Sequence, residues 1–325
     1  MPLNPPQVIL PNSLLNEIKN MPDDQISFRK AVYAVLLGKY TSLGTHHPQL
    51  REAIKVDLTR NIAKTLADLQ DEIVFTVPKE FGDCDDWTAV NVYHSLLNTV
   101  ARISARVFVG LPLCRDDEWI KATTHYTEAV ANGFKAISKY PFFIRPIVAP
   151  FIPELRNLNL ARRRAGKMIG PTVATIMNST KSQANASSDG SWNNELLSPY
   201  GDDQYNLISW ILRHYEAGQQ PNAEVIGEEQ LLTGFAAIHT TSMTASQAIF
   251  DLASYPQYIP ELRAEINEVS AKEPDGKLKK TSMPKLRKLD SFIKESQRMH
   301  PLGMGNSSYL KNHKNKSKQL IKAVL

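Results

Sequence analysis

Apolar residues along this chain recur three or four positions apart, the spacing of one face of an α-helix. Leu50, Ile54, Leu58, Ile62, Leu66 and Leu69 predict a long helix over 48–74. Val90, Tyr93, Leu96, Leu97, Val100 and Ile103 predict another over 87–109, ended by Gly110 and Pro112. A shorter helix is expected from Ser13, with Leu14, Leu15 and Ile18 as its stripe. Helical patterning returns over 115–139 and 155–178, the two separated by Pro141, Pro146, Pro150 and Pro153. Residues 179–204, rich in Ser, Asn and Asp, read as an exposed loop before a short helix over 205–216. Asn222 is a good N-cap and nothing breaks the pattern until Pro256. Residues 222–254 therefore read as one helix, on the order of 50 Å long. Helices near 257–272 and 284–299 follow. No alternating run is long enough to predict a strand with substance, so the fold class is mainly α.

Composition adds limits. With 42% apolar residues in 325, the chain can bury a large core. The two cysteines, Cys84 and Cys114, form no CxxC and have no histidine cluster, which argues against a disulfide framework or a zinc site. No apolar stretch reads as a signal peptide or a membrane anchor, which gives a cytoplasmic expectation for the chain as written. Of the 38 basic side chains, five are Lys311, Lys314, Lys316, Lys318 and Lys322; without them basic and acidic counts are equal. The positive charge is thus a property of the tail, and no nucleic-acid partner is expected. Residues 303–325 read as a basic, disordered tail after a domain over 1–302.

Two constellations carry candidate chemistry. Ala236-Ala237-Ile238-His239-Thr240-Thr241 lies in the middle of the longest helix. Small side chains leave room for a flat ligand, a threonine hydroxyl can bond the carbonyl four residues back, and an imidazole can relay a proton. The plainer reading is a buried helix face satisfied by its own backbone. Farther on, Glu295 and Arg298 share one face of a helix and can pair, as many helical pairs do by chance.

Together and in this order, these segments resemble the cytochrome P450 superfamily, with the fungal members most similar. The stretches around Leu58-Thr59-Arg60-Asn61 and Ala101–Gly110, with Trp119 and Tyr126, add to the likeness. The resemblance implies an incomplete P450 helical fold built on a long central helix, with most of the family's β-sheet absent. It implies haem as cofactor, monooxygenation of a lipophilic small molecule in fungal secondary metabolism, and NADPH-cytochrome reductase as electron donor. Full-length relatives are expected at the endoplasmic reticulum membrane. Thr240 would assist proton delivery, with His239 standing where many members have an acid. Ala236 and Ala237 would pack at the haem face, and Glu295 and Arg298 would form the family's structural Glu-x-x-Arg pair. Apolar groups at Phe134, Tyr140, Phe142, Phe143 and Ile144 suggest substrate contacts, although core packing is their plainer role.

The family holds iron through a cysteine in a Phe-x-x-Gly-x-x-x-Cys-x-Gly loop after the Glu-x-x-Arg helix, and no cysteine follows Arg298. Cys114 has Gly110 at the right spacing but Val107 and Asp116 in place of the Phe and the last Gly; Cys84 has Glu80 where the Gly belongs. The expectation is a truncated, inactive member with no axial metal ligand. Two other readings remain. One is a non-enzymatic helical protein that binds or regulates through an apolar cleft. The other is a metal-dependent terpenoid cyclase, for which Asp116-Asp117-Glu118 and Asp202-Asp203-Gln204 lack a spaced third acid.

Overall fold

A computed structural model describes residues 7–14, 16–17, 20–22, 25–186, 206–216, 219–302, 306–311 and 319–324. The chain begins with β1 (Gln7–Leu10), β2 (Ile26–Ser27), α1 (Phe28–Val35), α2 (Gly38–Thr41) and α3 (Pro48–Glu52). Next come α4 (Thr59–Phe81), α5 (Val92–Phe108), α6 (Asp117–Ser138), α7 (Arg145–Val148) and α8 (Pro153–Ala186). Then follow α9 (Leu207–Arg213), α10 (Ala223–Ser254), α11 (Tyr258–Ala271), α12 (Arg287–Met299), β3 (Asn306–Lys311) and β4 (Gln319–Val324). The fold is mainly α, as the pattern predicts. The residues group into two compact units, one of 1–46, 127–160 and 301–325, the other of 47–126 and 161–300.

In the larger unit α4 packs along α5, and charge pairs run down the contact. Arg115 forks onto the Glu72 carboxylate at 3.1–3.2 Å, Arg106 reaches Asp68 at 2.8 Å, and buried Arg102 reaches Glu80 at 3.1 Å and also Asp117. Glu72 is fully enclosed. Its charge is tolerable there because a guanidinium meets both carboxylate oxygens. The expected helix over 48–74 runs on to Phe81 and carries Pro78 in its last turn, where the ring gives no N–H to the carbonyl of Val74 but its own carbonyl still accepts from Gly82 at 2.9 Å. Gly82, at φ 74°, then turns the chain away. This long segment is also not uniform. Ala53–Leu58 between α3 and α4 is a π-helical turn, and it presents Asp57 to His214 at 2.6 Å. Such widened turns are rare and recur at functional sites.

The central α10 starts and stops where the sequence predicts. Asn222 accepts from the Glu224 backbone N–H at 2.8 Å, and the helix ends at Ser254 before Pro256. Asn206 caps α9 through a reciprocal pair with Ser209, and Trp210, Ile208 and Ile211 behind it are fully buried. Where α8 crosses α10, backbone meets backbone at two glycines. A methyl group on Gly227 would lie 2.5 Å from the Gly166 nitrogen, and one on Gly166 would lie 2.7 Å from the Glu224 Cα.

In the smaller unit Ile137, Ile152 and Leu155 form a core over Leu37, Tyr40 and Val148. A four-stranded sheet has the order β1-β4-β3-β2, with β1 parallel to β4 and the other pairs antiparallel. Three expectations are corrected here. Residues 306–311 and 319–324, expected to be part of a disordered tail, are strands, because their partners are residues 7–10 and 26–27, far away in sequence. Tyr309, Leu310, Leu320, Ile321 and Val324 are strand-favouring types interrupted by lysines, so the local pattern hides them. The expected loop at 179–204 begins later, since α8 continues to Ala186; residues 187–205 lie outside the described residues. Of the helix expected from Ser13, Leu15 and Ile18 lie outside the described residues, and Asn12–Leu14 is a single 3₁₀ turn.

The apolar residues after α6 take neither of their expected inward roles in full. Phe142 is 74% exposed, Phe143 66% and Phe151 76%, while Phe134 and Ile144 are half-buried. Four prolines keep this stretch in turns too short to turn every ring inward.

Replacing Gly227 with alanine tests the crossing. Helix propensity favours alanine by about 1 kcal/mol, whereas overpacking costs about 1–3 kcal/mol, and more where only backbone can give way. Gly227→Ala should therefore lower stability in a denaturant titration; an unchanged or raised midpoint would show that the two helices have room to part.

Candidate functional site

The Ala236–Thr241 turn lies in the middle of α10, with Ala236, Thr240 and Thr241 exposed and Ala237 and His239 half-buried. The Thr240 hydroxyl donates to the Ala236 carbonyl at 2.7 Å, the back-bond the sequence suggests, and lies 3.4 Å from the Ala237 carbonyl. Thr244 repeats the bond to Thr240 at 3.0 Å; Ser242 and Ser246 repeat it on the buried side at 2.7 Å each. Each such hydroxyl competes with a main-chain N–H for the same carbonyl, which loosens the ladder over three turns. His239 points the other way. Its Nδ1 is 3.2 Å from the Tyr93 hydroxyl and its Nε2 is 3.3 Å from the Thr124 carbonyl oxygen. The turn thus has one open, small-residue side bearing a hydroxyl and one side tied to α5 and α6.

Glu295 and Arg298 do pair. The guanidinium donates to both carboxylate oxygens at 2.7 and 2.8 Å, and the pair is exposed. It lines a groove of about 760 Å³ with Tyr255, Tyr258, Phe292 and Met299. The residues that fasten α12 to α10 are different, and sequence reasoning missed them. The buried Ser296 hydroxyl donates to Asp251 at 2.6 Å, and Gln247 donates to the other carboxylate oxygen at 3.1 Å. Ser296 above all, then Gln247 and His300, holds the Asp251 carboxyl below the usual carboxylate range. The available signal was position: Ser296 sits between the charged residues of the motif, on the face that turns inward.

A second group was also missed. Glu228, Glu229 and Gln230 are three consecutive polar residues in the first turns of α10, yet Glu229 is only 1% exposed. His47 meets Glu229 at 3.1 Å, and Arg162 of α8 meets Glu228 at 3.2 Å. Glu228 is half-buried and Gln230 is buried like Glu229, and such burial is costly unless partners arrive from other segments.

Neither cysteine fits the axial end of a haem site. Cys114 is fully buried on the turn after α5, and burial first, then the Glu72 carboxylate, pushes its thiol up to about 11. An iron ligand of this kind must be a thiolate. Cys84 is exposed among Asp83, Asp85 and Asp86, and its thiol donates to the Phe81 carbonyl at 3.4 Å. Among the described residues no group of three or more His, Cys, Asp and Glu side chains could hold a metal ion. The acids weighed for a terpenoid-cyclase site are otherwise engaged: Asp116 accepts from the backbone of Glu118 and Trp119, and Asp117 meets Arg102 and Lys79. Asp202 and Asp203 lie outside the described residues. No helix among the described residues is long and apolar enough to cross a membrane.

Comparison with known proteins places the molecule. The sequence model of the family "Cytochrome P450" matches residues 38–312, past the boundary at 302 expected from composition. The cytochrome P450 monooxygenase ascG of Acremonium egyptiacum is 37% identical over 93% of this chain and 56% of its own length. The cytochrome P450 monooxygenase ataF of Aspergillus terreus is 37% identical over 92% of this chain and 56% of its own length. BOA7 of Botryotinia fuckeliana, another cytochrome P450 monooxygenase, is 40% identical over 91% and 55%. The chain therefore spans about half the length of the relatives it matches. Among solved structures, retinoic acid bound cyanobacterial CYP120A1 shares the fold at a TM-score of 0.63, covering 98% of this chain and 67% of that one at 14% identity.

Two measurements follow. In native protein a thiol reagent should modify Cys84 and leave Cys114 untouched until denaturant is added; rapid labelling of both would contradict the enclosed, neutral thiol. The Asp251–Ser296 link depends on an ionised carboxylate with a depressed pKa, so its stabilisation is present above the ordinary aspartate range and fades as pH falls through the depressed value. Ser296→Ala should lower the melting temperature at neutral pH and make no difference in strong acid, read from thermal unfolding across pH.

Proposed function

Since the chain belongs to the cytochrome P450 family, we propose that it carries the substrate-facing helical part of a haem-dependent monooxygenase acting on a lipophilic small molecule in fungal secondary metabolism. The observation that carries this reading is the open side of the Ala236–Thr241 turn. Ala236 and Ala237 leave space beside the helix for a flat group, and the Thr240 hydroxyl stands next to that space on a loosened ladder. In this reading Thr240 is the group that holds and hands on a proton, His239 stands beside it where many members carry an acid, and Glu295 with Arg298 forms the family's Glu-x-x-Arg pair. Haem, when bound in this family, supplies the iron that activates dioxygen. The partners are the lipophilic substrate and NADPH-cytochrome reductase, and the complete relatives work at the endoplasmic reticulum membrane.

The 325-residue polypeptide on its own does not perform that reaction in this reading, because its cysteines do not fit the ligand position. A second reading is favoured by the same misfit: a helical binding protein that takes up an apolar ligand without iron. One experiment separates the two. The purified chain is mixed with haemin, reduced and treated with carbon monoxide, and in parallel is melted with and without an apolar ligand such as a fatty acid. No thiolate-type band is expected in the first arm. A thiolate-type band that disappears in Cys114→Ser or Cys84→Ser would overturn the inactivity. A rise in melting temperature with ligand alone would favour the binding protein.

A further inference from the structure

Both ring nitrogens of His239 are engaged. Nε2 lies 3.3 Å from the Thr124 carbonyl oxygen and Nδ1 lies 3.2 Å from the Tyr93 hydroxyl. A carbonyl oxygen only accepts, so Nε2 must carry the hydrogen. In the neutral ring Nδ1 is then the acceptor, and the tyrosine hydroxyl donates to it. We propose that Tyr93 is a positioning residue that holds neutral His239 in the single Nε2–H tautomer, making the ring a strut between α5, α6 and α10 rather than a proton carrier. This deepens the reading of the Ala236–Thr241 turn and takes its functional meaning from it, although the geometry stands alone.

The direction of the hydrogen bonds decides the point. They run from Tyr93 to the ring and from the ring to a peptide carbonyl, which has no proton to pass on. The Thr240 hydroxyl donates to Ala236, so its hydrogen points along its own helix and not toward the ring. A relay needs each member to accept on one side and donate on the other, and this one stops at Thr124. What the strut can do is set rotation. Successive residues of an α-helix stand about 100° apart around its axis. Pinning His239 to α5 and α6 therefore fixes the azimuth of Thr240 and turns the small-residue face away from those helices. Tyr93 suits the task because it sits in the first turn of α5, where the residue is 37% exposed and its hydroxyl makes the link. Proton traffic on this turn belongs to Thr240, which meets solvent directly.

The test uses the whole chain labelled with ¹⁵N-histidine, at a pH well above the ordinary imidazole range, with the His239 signals assigned from His239→Gln. The expected result is a protonated Nε2 and an unprotonated Nδ1 in one tautomer. Tyr93→Phe should leave the protein folded and move the Nδ1 signal toward that of an acceptor without a donor, with a growing share of the other tautomer. A glutamine at 239 can donate from its amide nitrogen and accept at its oxygen, so His239→Gln should melt near the parent, whereas His239→Leu should melt lower. A Nδ1–H tautomer in the parent, signals unchanged by Tyr93→Phe, or glutamine as damaging as leucine would each overturn the proposal. None of these readouts needs haem or turnover, so they hold or fail separately from the monooxygenase reading.

Discussion

A polar group can enter a helical core only if its partner enters with it. That constraint shapes the larger unit of this protein, where α10 passes through with Glu229, Ser242 and Ser246 buried along its length, while the buried Gln230 amide is the exception with no hydrogen-bond partner among the described residues. The helix meets the demand in three ways. The hydroxyls bond to its own carbonyls, the carboxylates draw His47 and Arg162 from neighbouring segments, and Asp251 takes the hydroxyl of Ser296 from α12. The same rule shapes the α4–α5 contact, where Glu72 is enclosed only because Arg115 covers it. Burying or breaking any one of these groups alone would leave a charge or dipole facing carbon.

This explains why the candidate site has two unlike sides. On the inner side, hydrogen bonds to α5 and α6 hold His239. On the outer side, Ala236 and the self-satisfied Thr240 are exposed and demand nothing of their surroundings. In the proposed function that side is the one facing a ligand, and the two cysteines set a boundary on that reading. Cys114 is buried, and that burial together with the Glu72 carboxylate keeps its proton in place against the pull of Arg106 and Arg115.

Much of the helical framework was legible because helix spacing is a local property. The start of α10 at Asn222 and its end before Pro256 could be read from a cap and a breaker. The Thr240 back-bond followed from residue type and position alone. What escaped depends on partners distant in sequence. The strands at 306–311 and 319–324 exist through pairing with residues 7–10 and 26–27, and no local window contains both. Ser296 carries no signal of its partner in its own neighbourhood, and only the approach of α10 gives it a carboxylate to bind. The exposed rings of Phe142 and Phe143 were hidden for the opposite reason: hydrophobicity reports what a side chain prefers, while the prolines around it decide where it can go.

The contact between α8 and α10 has a further consequence. Gly166 and Gly227 do not act as two independent positions, since a side chain at either would force the same two helices apart: at 227 it would strike the Gly166 backbone, and at 166 the Glu224 backbone. In a library that randomises both, surviving clones should keep glycine at the two sites jointly or change them jointly, with neighbouring bulk trimmed to match. For sequence design the pair is a single letter written in two places.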